Sequence, residues 1–134
     1  MIYIDTGAFL ARHLSNDQYH RQANTFWDLI RKTQEKCVTS NFVLDETFTL
    51  LAQRAGYGFA AQRAKNMYAS ESLEILRPSR EVELEAIGFL EKYSDYRLSF
   101  TDCVSLVLMR IKKINRAFTF DYHFRLAGFH TYPT

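Results

Sequence analysis

The same short pattern stands near both ends of this chain. Met1-Ile2-Tyr3-Ile4 is closed by Asp5, and Ala117-Phe118-Thr119-Phe120 is closed by Asp121. A short apolar run bounded by a turn-forming residue reads as a strand buried in a parallel sheet. An aspartate that ends such a strand arrives at the C-terminal edge of the sheet, where open α/β sheets bind ligands. Two such units at opposite ends of 134 residues point to one site assembled by the fold.

The stretches between them alternate in period. Residues 2–5 read as a strand, 8–14 as a short helix, and 20–35 as a helix carrying Ala23, Phe26, Trp27 and Ile30 on one face. Residues 37–40 form a second strand. Asn41 is placed to cap a helix over 42–55, which Gly56 and Gly58 end. A helix over 59–70, a strand over 73–76 and a helix begun at Pro78-Ser79 follow. Ser99 caps a helix running to about residue 113, residues 117–121 form the fourth strand, and 129–132 add a fifth at the edge. Strands alternating with helices predict a three-layer α/β/α sandwich around a mostly parallel sheet of four to five strands. Right-handed crossovers bring every strand's C-terminal end to one rim.

One domain spanning 1–134 fits this length, and its 47% hydrophobic content supplies a core. No apolar run approaches the ~18 residues of a membrane span, and no basic leader opens the chain, so a soluble cytoplasmic protein is expected. Cys37 and Cys103 stand far apart and read as two buried thiols. His13, His20, His123 and His130 show no zinc-site spacing.

Two further acids join the strand-end pair. Asp102 lies three residues after Ser99, where it can complete a capping box, yet Leu98, Ser105 and Leu106 put it on an inward-facing stripe. In the helix after Asn41, Glu46 borders the apolar arc beside Val43 and Leu50, whereas Asp45 lies further round beside Thr49, so Glu46 is chosen. Asp5-Thr6-Gly7 also matches the triplet of aspartic proteases, but those enzymes pair two copies across an all-β fold, and this chain has one.

Carboxylates gathered within ~4–6 Å repel one another unless a cation neutralises them. Hard oxygen donors select Mg²⁺ or Mn²⁺ over zinc, and such an ion suits phosphodiester hydrolysis. Net charge is only +2, but setting the four acids aside leaves eleven Asp and Glu against seventeen Lys and Arg. An acidic centre in a mildly basic body fits a polyanionic substrate.

With these pieces in place the chain resembles a PIN domain, in particular the VapC-type toxins of toxin–antitoxin pairs. The resemblance rests on Ile2-Tyr3-Ile4-Asp5-Thr6, Thr39-Ser40-Asn41-Phe42-Val43-Leu44-Asp45-Glu46, Leu98-Ser99-Phe100-Thr101-Asp102, Thr119-Phe120-Asp121-Tyr122-His123-Phe124 and Ala127-Gly128-Phe129. These occur in family order and span nearly the whole chain. The resemblance implies Mg²⁺- or Mn²⁺-dependent RNA cleavage with Asp5, Glu46, Asp102 and Asp121 as both the catalytic and the metal-holding acids. It also implies a homodimer and inhibition by a small antitoxin protein. Thr6 and Ser105 are expected as supporting hydroxyls, and Arg12, Arg54, Arg110, Lys112, Lys113, Arg116 and Arg125 as candidate phosphate contacts. A groove near Phe9, Phe26 and Trp27 is the expected antitoxin surface. The competing reading is a non-catalytic PIN module that binds RNA or protein; such modules typically lose one or more of the acids, and here all four are present.

Overall fold

The computed structural model describes residues 1–134, and the two aspartate-ended runs lie side by side in it. Five short strands, β1 (Ile2–Ile4), β2 (Cys37–Ser40), β3 (Leu73–Leu76), β4 (Arg116–Phe118) and β5 (His130–Tyr132), form one parallel sheet in the order β3-β2-β1-β4-β5. β1 is central: Tyr3 registers with Val38 on one side and with Ala117 on the other. All three β1 residues and Ala117 and Phe118 of β4 are fully buried, which is why their sequence is apolar without alternation.

Seven helices cover the sheet: α1 (Thr6–His13), α2 (His20–Thr33), α3 (Asn41–Ala55), α4 (Tyr57–Ala69), α5 (Arg80–Lys92), α6 (Phe100–Lys112) and the four-residue α7 (His123–Leu126). A 3₁₀ turn over Ser94–Tyr96 also lies outside the sequence expectation. α6 is apolar almost all round and buries an unbroken run from Cys103 to Met109, as a helix laid across the core must. Phe118 sits among Phe26, Trp27 and Phe120 at ring-centroid distances of 4.7, 4.9 and 6.1 Å, closing the core under β4. Cys37 and Cys103 are free and buried, as their spacing predicts.

Several boundaries differ from the sequence reading, for local reasons. Ser40, not Asn41, caps α3, because its hydroxyl accepts the Val43 N–H at 3.2 Å while Asn41 is already helical. Gly56 ends α3 at φ +99°, a conformation that favours glycine, but Gly58 lies inside α4. β1 stops at Ile4 and β4 at Phe118: Asp5 still donates its N–H across to the Phe118 carbonyl at 3.0 Å, whereas Asp121 lies three residues beyond its strand.

Candidate active site

All four predicted acids line one cleft of about 510 Å³ at the C-terminal edge of the sheet. Thr6, Gly7, Tyr19, Ser99, Phe120 and Tyr122 complete its wall, together with a fifth acid, Asp17. The Asp17 carboxylate is already engaged, accepting the Tyr19 N–H at 2.8 Å, and so shapes the α1–α2 loop.

Asp5 occupies the N-cap position of α1 but makes no capping hydrogen bond with its side chain. Its Oδ2 instead accepts the Thr119 hydroxyl at 2.8 Å. The carboxyl is 5% exposed, and its pKa is raised to about 7 by burial first and the nearby Asp102 charge next, against the lowering pull of the Thr119 hydrogen bond. Thr119 does a second job: its oxygen accepts the Asp121 N–H at 3.0 Å. Asp121 is therefore not delivered by a strand. The four-residue loop Thr119–Tyr122 carries it, and the Asp121 carboxylate accepting the His123 N–H at 3.1 Å closes that loop into an Asx turn.

Asp102 meets both of its sequence readings at once. A full capping box forms, with Ser99 Oγ accepting the Asp102 N–H at 3.1 Å and Asp102 Oδ2 accepting the Ser99 N–H at 3.1 Å. The same carboxylate still faces the cleft, and burial pushes its pKa up, the Ser99 backbone hydrogen bond opposing. Glu46 lies half-buried on the cleft wall while Asp45 is exposed, as the helical-face argument predicts. The tightest grouping of ligand-capable atoms is Asp102, Asp121 and His123, all within 4.8 Å of one another. His123 is invisible to a search for paired metal-ligand histidines, because its partners are carboxylates.

The two expected hydroxyls part company. Thr6 lines the cleft, and its buried Oγ1 has no hydrogen-bond partner. Ser105 lies beneath the site instead, hydrogen-bonded to the Tyr3 hydroxyl at 2.8 Å in the core, because it follows Asp102 by three residues down a buried helix. An orphaned buried hydroxyl, crowded carboxylates whose charged forms are disfavoured, and an oxygen-rich donor set together fit a hard divalent cation.

The basic residues are sorted by helix length. Arg110 and Lys112 lie in the last turn of α6, with Lys113 just beyond, so they stand roughly 12–17 Å along the axis from Asp102. Arg110 is paired with Glu85 and Arg116 with Glu35, while Arg12 stacks on Trp27 at 4.6 Å at the far end of α1. Arg125 shares with Asp121 and Tyr122 a groove next to the acid cleft. Aromatic residues rim the cleft: Tyr19 and Phe120 stack with centroids 4.4 Å apart, and Tyr122 is half exposed. Sequence reasoning missed this rim, since its members come from two loops.

The PIN domain family model matches residues 2–129. The chain is 33% identical over 129 residues to the 23S rRNA-specific endonuclease VapC20 of Mycobacterium tuberculosis, in both its CDC 1551 and H37Rv strains, covering 96% of this chain and 95% of the relative. The crystal structure of M. tuberculosis VapC20, described as a sarcin-ricin loop cleaving toxin, superposes with a TM-score of 0.87 at 31% identity over 96% of each chain. A toxin–antitoxin complex from Klebsiella pneumoniae shares the fold at a TM-score of 0.62 and 15% identity, over 91% of this chain and 88% of that one. A parallel sheet that gathers four acids at one edge, a family model that matches nearly the whole length and a relative of equal extent lead to one conclusion: the chain belongs to the PIN-domain family.

Proposed function

We propose that this protein is a cytoplasmic, Mg²⁺- or Mn²⁺-dependent endoribonuclease and the toxin of a toxin–antitoxin pair, with Asp5, Glu46, Asp102 and Asp121 as its working acids. The observation that carries this reading is the convergence of four carboxylates, 116 positions apart at the extremes, on one cleft. Asp102 and Asp121 would hold the ion, with Asp5 and Glu46 on the same wall. A bound divalent ion supplies Lewis acidity and a more acidic water. In this reading Glu46, on the cleft wall, would take a proton from the attacking water. Arg125 is placed to hold a phosphate of the strand. Unstacked bases can lie on Tyr19, Phe120 and Tyr122, which favours single-stranded or looped RNA. The VapC20 resemblance makes ribosomal RNA the first substrate class to test. Cleavage would leave a 5′-phosphate and a 3′-hydroxyl.

Two partners belong to this reading. At the other end of α1, Phe9, Trp27, Met67 and Leu73 floor a groove of about 230 Å³ edged by Arg12 and Arg63 and by no acid. It supports docking of an amphipathic antitoxin segment carrying acidic side chains. Phe26 is not part of that groove; it is 9% exposed and packs on Phe118 and Tyr132. For the homodimer, the support is the exposed apolar face of Leu84 and Ile87 on α5 with Ile111 on α6. No helix is long and apolar enough to cross a membrane.

The deciding experiment is incubation of purified protein with total RNA in EDTA, Mg²⁺ or Mn²⁺, beside the Asp5→Asn variant. Cleavage that needs metal and Asp5 supports the nuclease. RNA binding with no cleavage under any metal points to the non-catalytic module.

A further inference from the structure

One group packed against the cleft acids is left over once the four of them have roles. His123 opens α7 two residues after Asp121, and its side chain is 12% exposed. Nδ1 lies 2.9 Å from Asp121 Oδ1 and 3.4 Å from Asp102 Oδ2, yet it is buried and makes no hydrogen bond to either. The ring is held there from two sides. Its own backbone N–H is fixed by the Asp121 carboxylate, and the Tyr122 ring leans on it at 4.7 Å.

A ring nitrogen and two carboxylate oxygens each present lone pairs. At these separations they repel unless positive charge stands among them. A proton on Nδ1 would pair the ring ionically with both carboxylates at these distances, but neither contact has the direction of a hydrogen bond. The separations suit a different arrangement. Adjacent ligands of an octahedral ion, each ~2.1 Å from the metal, stand roughly 3 Å apart. The Nδ1 distances of 2.9 and 3.4 Å bracket that value. Thr6 Oγ1, buried and unpartnered on the cleft that Asp102 and Asp121 line, is a second independent sign that a ligand belongs here.

We propose that His123 Nδ1 is a direct ligand of the divalent ion beside the Asp102 and Asp121 carboxylates, and that this nitrogen tilts the site toward Mn²⁺ over Mg²⁺. The proposal rests on the metal-dependent reading above and adds to it a ligand outside the acidic quartet. The selectivity follows from chemistry: imidazole suits transition ions, whereas Mg²⁺ keeps oxygen ligands and water. Binding requires the proton to reside on Nε2, leaving the Nδ1 lone pair toward the ion.

The test is metal binding on the intact, metal-stripped protein, read without any activity assay. Calorimetric titration with MnCl₂ and MgCl₂ is paired with pulsed electron paramagnetic resonance of the bound Mn²⁺. The expected spectrum carries hyperfine coupling to one imidazole nitrogen. His123→Gln should abolish it and weaken Mn²⁺ roughly tenfold or more, with a smaller change for Mg²⁺; losing only an outer-shell partner of a metal ligand already costs about 10–100-fold. The wild-type spectrum stands by itself should the variant fold poorly. Mn²⁺ bound without nitrogen coupling overturns the His123 assignment and leaves the acidic metal site standing. Coupling that persists in His123→Gln overturns it too. No binding of either ion at millimolar concentration removes the metal-dependent reading and this proposal with it.

Discussion

The Thr119 hydroxyl joins Asp5 to the other end of the chain, donating to Asp5 Oδ2 at 2.8 Å across 114 positions in sequence. The same oxygen accepts the Asp121 N–H, so a single 3% exposed side chain sets the spacing between two cleft acids. Thr119→Val keeps the shape and removes both hydrogen bonds. We expect a stability loss of about 1–3 kcal/mol from the buried groups left unpaired. Cleavage should fall far more than such a loss explains. Denaturant melts alongside RNA cleavage decide it, and unchanged cleavage would show that Thr119 is only a packing residue.

The acids should behave as a unit. Asp5→Asn, Asp102→Asn and Asp121→Asn should each fold and each abolish cleavage, and combining them should cost little more, because residues acting together are non-additive. Asp102→Asn carries an extra stability cost of about 1 kcal/mol from the weakened capping box at the start of α6. Glu46→Gln should also be inactive, while the exposed Asp45→Asn should retain most activity. The reverse outcome for the pair Asp45 and Glu46 sinks the placement of Glu46 in the mechanism. Full activity in the three aspartate variants sinks the nuclease.

Stability should depend on pH through Asp5 when metal is withheld. Its carboxyl titrates near 7 in the fold against an ordinary value of 3.8, so the native state holds its proton more tightly than the unfolded chain. That preference is fully present below pH ~4 and is lost as pH rises through 7, by up to about 4 kcal/mol. His13, whose pKa is lowered to about 4 by burial and by Arg12 and Arg63, works oppositely and weakens the fold as pH falls below 6.5. Comparing wild type with Asp5→Asn in EDTA isolates the first effect. Between pH 5 and pH 8 the wild type should lose more stability than the variant, and saturating Mn²⁺ should restore much of the loss. Parallel urea midpoints for the two proteins would rule out a strained Asp5.

The aromatic rim should act on substrate and not on fold. Tyr122 is 49% exposed, so Tyr122→Ala should leave the melting temperature within a degree or two. RNA affinity should weaken by about 1–3 kcal/mol, the cost of one lost base stack. Arg125→Gln should weaken binding similarly and flatten its salt dependence. A filter-binding series over salt concentration separates the two, and wild-type affinity in both variants would place the RNA elsewhere.

What a reader of the sequence can see here follows from periodicity. The buried strands, the helix faces and hence Asp5 and Glu46 are legible because burial imposes a regular apolar pattern on them. Asp102 is legible as a cap and as a cleft residue, though only the structure shows that one carboxylate does both. Asp121 is found for a partly wrong reason: β4 ends at Phe118, and a Thr119-pinned turn does the positioning that a longer strand was expected to do. Ser105 goes astray because an inward stripe serves both cleft and core, and one helical turn separates them. His123 and the rim of Tyr19, Phe120 and Tyr122 escape notice because their neighbours are set by loops, which carry no period.

The sheet order has a consequence for the chain during synthesis. β1 is made first, pairs with β2 and must then hold its other edge open until β4, more than 110 residues later, fills it. The loop that carries Asp121 reaches Asp5 across the β1–β4 pairing, through the Thr119 hydrogen bond, a contact of very high sequence separation. A fragment ending short of residue 121 carries three of the acids and lacks the fourth, together with Tyr122 of the cleft wall. Assembly of the four acids therefore waits on a residue made 116 positions after Asp5.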